Sequence, residues 1–113
     1  MKRFLALYMA PVAAFDEMKK SMTPETQKQQ NEGWRKWMDA RKRSMPDMGA
    51  PLGKNKRVSA SGVADMRNDV GGYSIVEANT HDEAAQLFRD NPMLQMPGAY
   101  VEVLEIMPMP EGM

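Results

Sequence analysis

The sequence predicts an α+β domain of βαββαβ order: a four-stranded antiparallel sheet with two helices packed on one of its faces. Three observations carry this. Residues 2–10, 73–78 and 99–107 are apolar runs of strand length. Residues 22–43 and 80–90 open with helix-capping patterns and carry apolar positions at helical spacing. Right-handed crossovers between the strands then set both helices on the same side of the sheet.

Taken in order, "KRFLALYMA" (2–10) is apolar on both alternating faces, Phe4, Ala6 and Tyr8 on one and Leu5, Leu7 and Met9 on the other. That is the mark of an interior strand covered from both sides. Pro11 ends it, and Val12, Phe15, Met18 and Met22 allow a short helical excursion over 12–22. In "MTPETQKQQNEGWRKWMDARKR" (22–43), Thr23 suits the N-cap, Pro24 the first helical position, and Glu25 the positive end of the dipole. Trp34, Trp37, Met38 and Arg41 follow at i, i+3, i+4 and i+7, a stripe whose ordinary meaning is packing against a sheet.

Pro46, Gly49, Pro51 and Gly53 make 45–53 a loop, and 54–62 reads as a weak edge strand guarded by lysines. Residues 63–72 read as a connecting loop. "YSIVEA" (73–78) is a strand with Tyr73, Ile75 and Glu77 on one face and Ser74, Val76 and Ala78 on the other. Thr80 to Glu83 forms a T-x-x-E capping box, in which Glu83 is expected to reach back to Thr80. The lone histidine, His81, is then the first helical residue of 81–90 and points to solvent, a structural place rather than a catalytic one. "AYVEVLEIM" (99–107) alternates as the last strand. We expect one domain over 1–110 with 111–113 a loose tail, an order of elements that is ferredoxin-like.

Composition excludes several kinds of chemistry. There is no cysteine, hence no disulfide, thiolate metal site or cysteine nucleophile, which fits a cytoplasmic protein. The N-terminus is basic and then apolar, but its apolar run is too short for a signal peptide, and no run approaches the ~20 apolar residues of a membrane span. No metal or cofactor is expected: the thirteen methionines lack cysteines, and all but one histidine, to complete a soft-metal site. No P-loop, G-x-G-x-x-G, G-x-S-x-G or H-E-x-x-H is present. Residues 1–57 hold 13 Lys/Arg against 6 Asp/Glu, and residues 58–113 hold 2 against 9, so the halves carry +7 and −7. Such halves attract each other, within a subunit or across a dimer, and a neutral total argues against nucleic acid.

Two helices leave one face of a four-stranded sheet bare, and that face is apolar whichever set of side chains it carries. A patch of that extent is unusual for a monomer, so a second subunit is expected to cover it, most simply about a twofold axis. Glu77 and Glu102 share faces with Tyr73 and Tyr100, where they would enter a pocket closed between subunits. A carboxylate stripped of water there is placed as a general base is. The plainer role is a glutamate satisfied by an arginine such as Arg57 or Arg3.

"GGYSIVEANTHDEAAQLFRDNPML" followed by "YVEVLEIMPM" resembles the YCII-related proteins, including their DGPF-type members. The resemblance implies a ferredoxin-like protomer that pairs face to face as a dimeric α/β barrel. The family's His and Asp pair has no counterpart here: the first helix has no histidine, Asn91 precedes Pro92, and "VADMRNDVGG" stands where DGPF would. The expected function is binding of a small apolar or aromatic molecule in a cleft at a homodimer interface, with weak acid/base activity as its extension. Tyr8, Trp34, Arg57, Tyr73, Glu77 and Glu102 are the candidate ligand-binding residues. The alternative is a non-catalytic dimeric interaction module that docks an acidic partner through the basic half. Neither reading involves a membrane.

Overall fold

The computed structural model describes residues 1–110 and Gly112, so Glu111 and Met113 of the expected tail lie outside the described residues. Six strands and three helices follow in the order β1 (Lys2–Met9), α1 (Val12–Ser21), α2 (Pro24–Arg41), β2 (Asp47–Pro51), β3 (Asn55–Ser59), β4 (Gly62–Met66), β5 (Val70–Ala78), α3 (His81–Gln86) and β6 (Tyr100–Glu105). One antiparallel sheet has the strand order β2-β5-β1-β6, and β3 and β4 form a separate two-stranded hairpin. The molecule measures 51 × 43 × 19 Å. Its thinnest dimension is that of one sheet carrying a single layer of helices, which stack at about 10 Å.

The core lies on one side of the sheet. Phe4, Ala6 and Tyr8 of β1 and Ser74, Val76 and Ala78 of β5 are buried there, with Trp37 of α2, Ala84 of α3 and Phe88 beyond it. The Trp stripe is core, as its spacing predicts. Trp34 meets Tyr8 edge-on with ring centroids 5.0 Å apart, and Trp37 tilts against Phe88 at 5.3 Å. Arg41 lies 4.9 Å over the Trp37 ring and donates from Nε to the Leu87 carbonyl at 2.8 Å, while Asp90 accepts from both the Trp37 indole and the Arg41 guanidinium. That guanidinium holds the Asp90 carboxyl below the usual carboxylate range.

The predicted caps are present. Thr23 accepts from the Thr26 amide and Thr80 from the Glu83 amide, each at 3.1 Å. Glu83 reaches one residue further back than a capping box requires, its Oε2 accepting from the Asn79 amide at 3.1 Å. His81 opens α3 and is exposed, as expected, but its ring is not free. Its ring stacks on Phe4 at 5.1 Å, and Nε2–H donates to the Val103 carbonyl at 2.7 Å, which ties α3 to β6. The helix itself ends at Gln86, short of the expected 90, and turns carry the chain to a 3₁₀ turn at Pro92–Gln95.

The second strand of the sheet is not where the sequence placed it. The edge strand is Asp47–Pro51, expected to be loop, while the expected edge strand 54–62 pairs with 62–66 in the detached hairpin. "DMGAP" has low strand propensity, and its pairing with β5 is interrupted by an irregularity between Asp47 and Ala50. Gly49 makes that irregularity feasible: its φ is +78°, and a Cβ there would sit 1.6 Å from the Tyr73 carbonyl oxygen. Side chains hold what alternation does not announce. Ser74 Oγ donates to the Met48 carbonyl at 2.8 Å, so its 2.7 Å contact with the Tyr8 hydroxyl must be one in which Tyr8 donates.

The charge asymmetry is spent largely inside the subunit. Lys2–Glu105, Arg3–Glu77, Arg41–Asp90 and Lys56–Asp65 each join a base from the first half of the chain to an acid from the second. Among the described residues, no helix is long and apolar enough to cross a membrane.

Candidate functional site

The outer face of the sheet carries the other set of side chains, and no helix or strand among the described residues covers it. Because strand side chains alternate, burying Phe4, Ala6 and Tyr8 turns Leu5 and Leu7 outward, while Met9, beyond a register irregularity after Tyr8, is buried. On β5 the outward set is Tyr73, Ile75 and Glu77, and on β6 it is Tyr100, Glu102 and Leu104. Register aligns them into rows. Leu5 stands between Ile75 and Leu104, and Leu7 between Tyr73 and Glu102. Tyr100, Leu104 and Ile106 are 42%, 44% and 46% exposed, large apolar groups open to water on a face whose centre is leucine.

Polar groups frame this apolar floor. Arg3 Nε donates to Glu77 Oε1 at 3.2 Å, so Glu77 is satisfied within its own subunit. Tyr73 donates its hydroxyl to Asp47 Oδ2 at 3.2 Å, and Asp47 Oδ1 accepts from the Gly49 amide at 2.8 Å, which fixes the carboxylate at the β2 edge. The charge of Asp47, and then the hydrogen bond to it, push the Tyr73 phenol above its ordinary pKa and keep it protonated. Glu102 forms no ion pair among the described residues. Tyr73 and Glu102 are two strand spacings apart, about 9–10 Å across the sheet, with Leu7 between them. The face therefore offers a flat apolar floor with a hydrogen-bonded phenol and carboxylate at one side and a free carboxylate at the other.

Of the six candidate residues, the structure brings Tyr73, Glu77 and Glu102 to this face and not the rest. Tyr8 and Trp34 lie under the helices on the opposite face, and burial pushes the Tyr8 phenol above its ordinary pKa despite the hydrogen bond to Ser74. They pack each other and cannot line a cleft with Tyr73. Arg57 stands on β3, exposed in the detached hairpin. Asp47 was missed, because the sequence made it loop; the signal available was an Asx turn, an aspartate two residues before a glycine. Arg3 belongs to the face through its pairing with Glu77.

Taken alone, the face is a floor without walls. A surface depression of about 460 Å³ runs along α2, lined by Pro24, Gln27, Lys28, Asn31, Glu32 and Arg35 from that helix alone. Another, of about 150 Å³, sits at the end of β5 among Met1, Glu77, Glu83 and their neighbours. Neither adjoins the Leu7 row.

Among solved structures, the chain is similar to 5-chloro-2-hydroxyhydroquinone dehydrochlorinase, TftG, from Burkholderia phenoliruptrix AC1100, in complex with 2,5-dihydroxybenzoquinone. The two superpose with a TM-score of 0.51 over 88% of this chain and 90% of that one, at 15% sequence identity. The expected mixed α+β fold with a four-stranded antiparallel sheet is the one observed. At that identity the likeness is one of fold. No family model and no curated protein sequence matches the chain.

Proposed function

We propose that two copies of this chain close their bare sheet faces on each other as a YCII-related homodimer. A small aromatic or apolar molecule with polar ends is held in the cleft between them. The observation that carries the reading is the floor of half-buried Leu5, Leu7 and Ile75 and exposed Leu104, framed by the Asp47–Tyr73 pair and Glu102. Stable interfaces bury about 800 Å² per partner, and the face gathers Leu5, Leu7, Ile75, Tyr100 and Leu104 on one side of a four-stranded sheet. Closing it would turn a flat floor into a slot with two apolar walls, the shape a planar ring fits. Asp47 and Glu102 supply acceptors for ring hydroxyls, and Tyr73 a donor already committed to a carboxylate. Acid/base work in this reading falls to Glu102, which has no ion pair among the described residues and, unlike Asp47, is not engaged by Tyr73 and the Gly49 amide. Tyr8 and Trp34 support the floor from beneath.

The ligand in the TftG complex, a flat ring with hydroxyl and carbonyl groups, is the natural first probe. Calorimetric titration of the purified chain with 2,5-dihydroxybenzoquinone is expected to show binding that weakens about tenfold in Glu102→Gln and in Tyr73→Phe, the loss of roughly one hydrogen bond to a charged group each. Binding that is unchanged in the doubly substituted chain would remove this face as the site.

A further inference from the structure

We infer that the β3–β4 hairpin is an arm that reaches over the sheet face of a second copy and sets Arg57 against that copy's Glu102, so that the binding cleft is completed in trans. This rests on the homodimer reading above. The hairpin is the least supported part of the protomer. Every residue of β4 and all but Asn55 of β3 are exposed, including the cross-strand pair Val58 and Val63 at 76% and 67%. A two-stranded hairpin that packs on nothing is marginally stable in water. Its sequence nonetheless alternates, and its base is built with care: Lys54 adopts a positive φ of 58° where the chain leaves the sheet, and Asn55 donates to Asn68, whose same oxygen accepts from the Val70 amide. A shaped projection with exposed apolar residues is what an interface element looks like before its partner is present.

Charge selects the occupant. Residues 54–67 carry Lys54, Lys56, Arg57 and Arg67 against Asp65, a net +3. The bare face carries Asp47 and Glu102 beyond its neutral Arg3–Glu77 pair. Lys56 is engaged by Asp65 and Arg67 by Asp16, whereas neither Arg57 nor Glu102 has an ionic partner among the described residues. Face-to-face closure of two bare faces gathers four carboxylates, two Asp47 and two Glu102, in an apolar interface. That arrangement is unfavourable unless cations enter with them. Each copy brings one such face and one such basic arm, so a twofold axis satisfies both at once.

The absence of cysteine makes the test clean. Chains carrying Arg57→Cys and chains carrying Glu102→Cys, distinguished by a tag, would be mixed, allowed to exchange, and treated with a short bifunctional thiol crosslinker. The expected product is the mixed dimer, formed at least tenfold faster than between Arg57→Cys and a control Glu25→Cys chain, whose substitution lies in the first turn of α2. In parallel, Arg57→Glu is expected to weaken self-association about tenfold or more, and adding Glu102→Arg in the same chain is expected to restore it. Equal rates for the Glu102 and Glu25 pairs, in a protein that sediments as a dimer, would overturn the arm and leave the dimer standing. A monomer by sedimentation would overturn both.

Discussion

The two faces of the sheet are built from neighbouring residues of the same strands, yet they are finished differently. On the covered face polar side chains pair within the fold: Tyr8 donates to Ser74, Ser74 to Met48, and Trp37 and Arg41 both to Asp90, with the Asn91 side-chain amide nitrogen the exception among the described residues. On the outer face, half-buried Leu5, Leu7 and Ile75 and exposed Leu104 lie beside Asp47 and Glu102, carboxylates without counter-ions among the described residues. A buried polar group must be satisfied within the fold. One left open beside apolar surface instead indicates a surface finished by something else. The difference between the faces is thus the difference between what the protomer completes alone and what it leaves to a partner.

Substitutions in matched positions sharpen that contrast, beginning where the effect is greatest. Phe4→Ala empties the covered core and is expected to lower stability by about 3–5 kcal/mol in chemical denaturation. Leu5→Ala, one residue along and on the other face, should cost far less in dilute protein and approach a core-like penalty only as concentration is raised. Equal costs at all concentrations would break the comparison. Gly49→Ala comes next. The left-handed backbone alone costs about 1–2 kcal/mol, and the new Cβ would strike the Tyr73 carbonyl, so β2 should detach and carry Asp47 away from Tyr73. Amide exchange at β2 and along that edge of β5, with β1 still protected, is the expected signature.

Tyr8→Phe removes one buried hydrogen bond, worth about 0.5–1.5 kcal/mol, and changes the response to alkali. Burial raises the Tyr8 phenol above the unfolded value of about 10. The folded state therefore holds this proton more tightly, a stabilisation fully present below that pH and lost as pH rises through the folded value. The variant should lack that alkaline loss. Smallest is the effect on Tyr73, whose phenol is raised by the Asp47 charge rather than by burial. Added salt should bring its titration back toward the ordinary value while leaving Tyr8 in place, because screening acts on exposed charges and not on desolvation.

Much of this was legible from residues. The alternation of "YSIVEA" and "AYVEVLEIM", Thr23-Pro24, Thr80 with Glu83, and the Trp34/Trp37 stripe placed four of the elements, β5, β6, α2 and α3, near their true positions. The orientation of the sheet was not legible, because β1 is apolar on both sides and either set could have met the helices. What separates the sets is size: Phe4, Ala6 and Tyr8 alternate large and small to admit Trp34, Trp37 and His81, and that is a property of the packed helices, not of the strand alone. The edge strand was hidden because "DMGAP" is held by main-chain bonds and by Ser74. The hairpin was half hidden because its Ala60–Ser61 turn lacks the usual Asn-Gly or Asp-Gly signal. His81 was placed on its helix and at the surface, but the anchoring of its ring by Phe4 and by a backbone carbonyl 22 residues away was not foreseeable. At the site, Glu77, Glu102 and Tyr73 were visible as one face, while Tyr8 and Trp34 fell to the other with the orientation of the sheet.

The central claim is that the outer face is closed by a second copy of the same chain. Equilibrium sedimentation of the wild-type chain beside Leu104→Asp tests it most directly, since Leu104 is exposed on that face and takes no part in the covered core. The account predicts a dimer for the first at micromolar concentration and a folded monomer for the second. A wild-type chain that remains a folded monomer, or a variant that dimerises as tightly as its parent, would contradict it.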